Sequence, residues 1–301
     1  MAVPTYDIVF VGHTYRDRIC HAGKPPVVTV GGSLAYGSVA AARIGCHVAV
    51  VTKLAEADRP LLAGVEAAGV HCTVIRAPVT SEFEVIYPDE DTEHRTILQR
   101  HKAPPFHFDE IPATPCAALH LAGNAHGELS LDLIRRLKQS GRALSADMQG
   151  FVRQPDRAEH RIAFRDVHDK EAIVGALDRV KLDALEGAIL TGESDPARAV
   201  VRVSEWGCPE VVLTQSDGVI GRFGGRTFFA PFSARSLAGR NGRGDTTFAG
   251  YLARRLTHPP EEALAFAAAL VSIKLETPGV FAGTLDDVLA RLARSPNARP
   301  L

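Results

Sequence analysis

The feature that most constrains this chain is a repeating rhythm of short apolar runs and helix-length segments closed by glycine. Residues 7–12 (Asp-Ile-Val-Phe-Val-Gly) read as a buried first strand. An Ala-rich helix over 34–44 follows and ends at Gly45. The pattern then predicts a strand at 47–52, a helix at 61–68 stopped by Gly69, and a strand at 72–76. It resumes with a strand at 118–122, a helix at 129–139 capped near Gly141, and strands at 143–147 and 179–182. A helix at 196–206, a strand at 210–214 and helices at 245–256 and 261–275 complete it. Strands alternating with helices demand an α/β fold with a mostly parallel sheet covered on both faces.

Two segments interrupt the rhythm. Residues 15–30 separate the first strand from a Gly-Gly pair. Residues 82–100 read as two strands around the acidic turn Pro88-Asp89-Glu90-Asp91. Phe83, Val85 and Tyr87 alternate there with Glu82, Glu84 and Ile86, the period of a half-exposed antiparallel strand. Such pieces build a small sheet beside the main body, either a lid or an edge extension without function. An exposed apolar face on Phe83, Val85 and Tyr87 would suit a homodimer formed through that sheet. Residues 153–171 are dense in charge and read as a solvated helix or loop.

Composition narrows the function classes. The 301 residues are 46% hydrophobic and 23% charged, enough apolar content for a large core, and are read as one domain over 1–301 with 15–30 and 82–100 inserted. Lys+Arg is 34 against Asp+Glu 35 with no basic block, which speaks against a nucleic-acid binder. The longest apolar stretch, 264–273, is too short to span a bilayer, and no basic-then-apolar leader opens the chain. Five scattered cysteines form no C-x-x-C pair. These features together predict a reduced, cytoplasmic protein.

The sharpest local motif is Asn241-Gly242-Arg243-Gly244-Asp245-Thr246-Thr247-Phe248-Ala249-Gly250, a Gly-rich turn opening into a helix. Backbone N–H groups freed by the glycines and by the helix start can converge on an anion. A carboxylate at Asp245 can take a proton from an attacking hydroxyl. The same residues also fit an ordinary N-cap Asp after a turn. The third glycine of a dinucleotide fingerprint is missing, since Thr247 holds its place, and no P-loop motif occurs. Gly31-Gly32-Ser33 opens the first helix in a similar way, as a binding turn or as a close helix–sheet contact. Asp17, just past the first strand, can accept two hydroxyl hydrogen bonds or simply be a solvated loop residue. Gln149 and Arg153, after the strand at 143–147, lie at the sheet edge where α/β ligands bind; a loop role fits them equally.

In this order the motifs resemble the ribokinase-like (PfkB) carbohydrate kinase family, from Asp7 to about Phe281. The family's early Gly and later Asp match Gly12 and Asp17, and its Gly-Gly, helix, Arg-Leu-Gly matches Gly31-Gly32 through Arg43-Ile44-Gly45. Its Gly-Ala-Gly-Asp signature matches Gly242 to Asp245. Its Asn-x-x-Glu and Leu-Thr-Gly match Asp183-Ala184-Leu185-Glu186 and Leu190-Thr191-Gly192. Its Thr-x-Gly-x-x-Gly loop is similar to Thr214-Gln215-Ser216-Asp217-Gly218.

The resemblance implies a three-layer αβα sandwich with a small β lid. It implies Asp245 as general base, with Gly242, Arg243 and Gly244 as the anion hole. Asp17, Gly31, Gly32, Ser33 and Tyr36 would hold the acceptor. Glu186 would position Mg²⁺ through water, and Asp183, Thr214, Ser216, Gly218 and Ala267 would border ATP. Several positions depart from the family: Tyr36 and Asp183 stand where it has Asn, Ser216 where it has Gly, and Arg243 where it has Ala. Gly239-Arg240-Asn241 replaces the Asp-Thr-Thr associated with a monovalent-cation site. Arg243 could clamp a phosphate or face solvent, and Tyr36 could stack on a ring polyol or pack in the core. Tyr36 resembles inositol-kinase-like members. The expectation is an ATP- and Mg²⁺-dependent kinase acting on a hydroxyl of a sugar or cyclic polyol. The alternatives are a nucleoside kinase on the same fold, or a ligand-binding homologue without turnover.

Overall fold

Strand β1 (Tyr6–Val11) lies inside the sheet because both its faces are apolar. Ile8 and Phe10 point into one core, and Val9 and Val11 into another. The computed structural model describes residues 6–88 and 95–301. The other strands are β2 (Tyr15–His21), β3 (Val27–Gly31), β4 (Val48–Leu54), β5 (His71–Arg76), β6 (Ser81–Tyr87), β7 (Thr96–His101) and β8 (Cys116–Leu121). They continue as β9 (Leu144–Asp147), β10 (Arg153–Pro155), β11 (Ile162–Phe164), β12 (Arg179–Asp183), β13 (Glu210–Thr214), β14 (Gly218–Phe223), β15 (Arg226–Pro231) and β16 (Arg299–Pro300). The main sheet runs β16-β15-β14-β13-β12-β9-β8-β1-β4-β5. From β5 to β13 every neighbour is parallel, while β13 to β16 are antiparallel.

Helices cover both faces. The helices are α1 (Ser33–Arg43), α2 (Ala63–Ala67), α3 (Leu131–Gln139), α4 (Gln149–Val152) and α5 (Lys170–Gly175), then α6 (Ala184–Thr191), α7 (Pro196–Glu205), α8 (Arg243–Arg255), α9 (Pro260–Leu275) and α10 (Leu285–Leu292). One core joins α1, α8 and α9 through Leu34, Phe248 and Phe266. The other joins α3, α5 and α7 through Leu133, Ile173 and Val200. This is the αβα sandwich. Burying a Phe10-sized side chain stabilises it by roughly 1.5–3 kcal/mol. Gly45, Gly69 and Gly141 all have positive φ after their helices, as their stop positions require.

The structure departs from the expected elements at 61–68, at 153–171 and at the end of the main sheet. The helix expected over 61–68 is only α2, preceded by a 3₁₀ turn (Glu56–Leu62) containing Pro60, which cannot donate to a helical hydrogen bond. Residues 153–171 are not one solvated helix or loop, because β10 and β11 pair there as a hairpin. The sheet's antiparallel end, β14 and β15, carried a missed signal: Gly224-Gly225, both at positive φ, is a two-residue hairpin turn.

The segments at 15–30 and 82–100 form a second sheet, β3-β2-β6-β7, in which β2 and β6 are parallel. Asp89, Glu90 and Asp91 of the expected acidic turn lie outside the described residues. Phe83, Val85 and Tyr87 do not offer an exposed dimer face. They are buried together with Tyr15, whose ring stacks on Phe83 at 4.2 Å, and they face the cleft under the small sheet. Among the described residues no helix is long and apolar enough to cross a membrane. All five cysteines are free.

Gly12 shows how tightly the edge bearing the cleft is packed. A Cβ there would lie 2.3 Å from the Ala122 carbonyl oxygen. Gly12→Ala is therefore expected to destabilise the fold by about 1–3 kcal/mol, read from urea unfolding midpoints.

Candidate active site

The cleft lies between the small sheet and the carboxyl edge of the main sheet and has a volume of about 300 Å³. Its floor is the start of α8. Gly242 caps that helix at φ 73°, the left-handed region that favours glycine. Gly244 is required for a different reason: a Cβ there would lie 2.8 Å from the Nζ of Lys181. Lys181 reaches up from β12 and pairs with Asp147 of β9 at 2.8 Å, both side chains buried. Two adjacent parallel strands thus place an ammonium directly beneath the helix start. The Arg243 N–H donates to Arg240 O at 3.3 Å, so it is not one of the free donors expected from the sequence. Gly244 and Asp245 occupy the open first turn. The Arg243 side chain lines the cleft, as does Arg240.

Asp245 is desolvated, and its Oδ1 has no hydrogen-bond partner among the described residues. Burial raises its pKa; Lys181 opposes the shift and Asp147 adds to it. The result is a carboxylate more basic than an exposed one, facing the cleft.

At the other end stands Asp17 on β2. Its carboxylate lies across Gly31, where a Cβ would meet Oδ2 at 1.9 Å. Asp17 Oδ1 is also buried without a partner among the described residues, and burial pushes the group up to about 7 against the pull of Arg153 and Arg95. The neighbouring polar wall is fixed in advance. Ser33 N–H donates to Asn124 Oδ1 at 2.9 Å, so this amide is not available to a ligand. Gln149 Nε2 donates to Ser33 Oγ at 2.9 Å. Gly32, at φ 94°, lines the cleft beside Ser33, Asn124, Gln149 and Arg153. Ile19, Val85 and Ile97 of the small sheet supply an apolar wall. Tyr36 packs against Gly242, where a Cβ would lie 2.1 Å from its Cδ1, and also lines the cleft. Burial pushes its hydroxyl up to about 12.

The expected donor and metal residues divide. Asp183 and Thr214 line the cleft. Glu186 is buried and forms a capping box with Asp183: Asp183 N–H donates to Glu186 Oε2 and Glu186 N–H to Asp183 Oδ1, each at 2.8 Å. Its other oxygen, Oε1, has no partner among the described residues, and burial raises the group to about 8. Among the described residues no cluster of three His, Cys, Asp or Glu side chains could hold a metal directly. Ser216 is exposed and off the cleft. Gly218 is covered by the Phe229 ring, 2.4 Å from where a Cβ would sit, and Ala267 is wholly buried in the core. These three do not line the cleft.

Lys181, Asn124 and Arg240 are cleft residues that the sequence reading missed. A lone Lys inside a strand gives no local signal; its place shows only once β9, β12 and α8 are together.

The chain matches the family model described as pfkB family carbohydrate kinase over residues 5–286. It belongs to that family, and its class is therefore a phosphotransferase acting on an alcohol group. Its fold is similar to a pyrophosphate-dependent kinase of the ribokinase family solved with a pyrophosphate analog and myo-inositol, at 30% identity and TM-score 0.85, covering 94% of this chain and 99% of that one. A sulfate complex of a pyrophosphate-dependent ribokinase-family kinase gives 31% and 0.86 over the same shares. Arabidopsis thaliana ribokinase, with ribose and ATP, shares the fold at 18% identity and TM-score 0.75, covering 97% and 99%. No curated protein sequence matches the chain.

The Asp17 shift makes a stability prediction. A carboxyl raised to about 7 binds its proton more tightly folded than unfolded, so stability is lost as pH rises from about 4 through 7. In the ligand-free protein Asp17→Asn is expected to raise stability by about 1–3 kcal/mol near pH 8 and by much less near pH 5, measured by thermal unfolding.

Proposed function

We propose that this kinase transfers a phosphoryl group to a ring hydroxyl of a cyclic polyol of the myo-inositol type, with inorganic pyrophosphate as donor. The observation that carries the donor assignment is the set of residues at the cationic end of the cleft. Lys181, Arg240 and Arg243 gather at the start of α8, while Ser216, Gly218 and Ala267 stay outside the cleft. A short, dense anion matches this better than a nucleotide. The likeness to pyrophosphate-dependent relatives supports the same reading. ATP, expected from the family resemblance, is the competing donor, and Thr214 on the cleft wall is the observation in its favour.

On the acceptor side, Asp17 accepts hydrogen bonds from two ring hydroxyls, and the Asn124–Gln149–Ser33 group fixes a third. The apolar wall of Ile19, Val85 and Ile97 covers the ring's C–H face. Asp245 takes the proton of the attacking hydroxyl as its oxygen bonds to phosphorus and the bridging P–O bond breaks, releasing phosphate. Gly244 and Asp245 N–H groups, Lys181 and Arg243 carry the charge that builds on the transferred group. Asp183 and the unpaired Glu186 oxygen suit Mg²⁺ held through water, which when bound neutralises donor charge.

Asp245→Asn is expected to lower kcat by about 10²–10⁴-fold with acceptor binding retained. Because burial raises the Asp245 pKa, the acidic limb of the wild-type kcat profile should lie above the ordinary aspartate range. Phosphate release from pyrophosphate and product formation from ATP, each with myo-inositol, decide the donor. Turnover with ATP alone would overturn the pyrophosphate assignment, and an active Asp245→Asn would overturn the base.

A further inference from the structure

Lys274 is a buried lysine with no part in the steps above. It lies one residue from the end of α9, behind the cleft. Its Nζ donates to the carbonyl oxygens of Gly239 and Asn241, in the turn that leads into α8. The same turn is pressed onto the end of α9. Gly239 N–H donates to Leu275 O at 2.8 Å, and a Cβ on Gly239 would lie 1.8 Å from Thr277 O. Nζ also sits 5.4 Å from the centre of the Tyr36 ring, whose edge abuts Gly242. Lysine, aromatic ring and glycine thus form one stack beneath the start of α8.

Two inward-pointing carbonyls, that of Gly239 buried and that of Asn241 half-buried, carry converging negative dipoles. Without a donor or a cation they are costly to bury. The C=O and N–H of one peptide unit point in opposite directions, so holding Asn241 O inward turns Gly242 N–H toward the cleft. The ammonium between these carbonyls therefore shapes the surface that meets the donor anion, and the Tyr36 face favours a positive charge at the same spot.

We propose that Lys274 is a tethered cation that holds the 239–244 turn in its anion-binding form, so that the enzyme needs no free monovalent cation there. Lys274 is a positioning residue that acts through the backbone of Gly239 and Asn241. Replacing its side chain with an apolar one leaves a carbonyl pair that a small free cation can serve.

Two measurements test this. The first does not depend on the proposed donor or acceptor. In ligand-free protein in tetramethylammonium buffer, Lys274→Met should speed amide hydrogen exchange at Gly239, Arg243 and Thr246, the hydrogen-bonded amides of the turn, by about tenfold or more, with α3 unchanged, and ammonium ions should reverse the effect. The second rests on the proposed reaction. The variant should lose about 10²-fold in kcat with acceptor KM little changed, and ammonium should restore part of it. Wild-type turnover should be indifferent to ammonium and potassium. Unchanged exchange at Gly239, Arg243 and Thr246, a loss that ammonium does not repair, or a wild-type enzyme activated severalfold by potassium each overturns the proposal. If Lys274→Met does not fold, the wild-type response to potassium decides. If no acceptor is turned over, the exchange measurement decides, and the proposed reaction fails separately.

Discussion

A single buried ammonium organises the working end of this molecule. Lys181 rises from β12, pairs with Asp147 on the neighbouring strand and ends under Gly244. Asp183, Glu186 and Asp245 also press their charge on it, and together they push its own pKa well above the usual lysine value. Burial, with the neighbouring Asp147 and, for Glu186, Asp183, holds Glu186 and Asp245 above their usual range against the pull of Lys181 and Arg153. An anion entering here meets negative neighbours as well as Lys181 and the arginines of the cleft wall.

Glycine does its work here by leaving room. Gly31 leaves space for the Asp17 carboxylate, Gly244 for Lys181 and Gly242 for Tyr36. Each missing Cβ brings a cleft side chain against backbone, and Gly242 and Gly244 themselves line the cleft. The apparent exception is Gly218. It reads as part of a nucleotide loop, yet Phe229 fills the space beside it.

The frame of the fold was legible because its signals are local. Apolar runs at strand length and glycines after helices mark β1, β4, α1 and α3 without reference to anything distant. The turn at 242–245 and Asp17 could be found because short motifs hold them. The polar wall could not be read in this way. Ser33 is joined to Asn124 across 91 positions and to Gln149 across 116, and neither partner sits in a pattern that names the other. The apolar residues of β6 were read correctly as alternating, but period alone does not say which face water reaches. The structure turns Phe83, Val85 and Tyr87 inward onto Tyr15.

The small sheet is held unequally at its two ends. At its root the Tyr15 hydroxyl donates to Glu128 at 2.6 Å inside the core. At its rim Arg95 reaches Asn241 at 3.4 Å in the open. Asp17 is two residues from Tyr15, so the carboxylate that faces the cleft stands on the firmly anchored part of the sheet. The core, rather than the open rim, therefore fixes where that carboxylate lies relative to the start of α8.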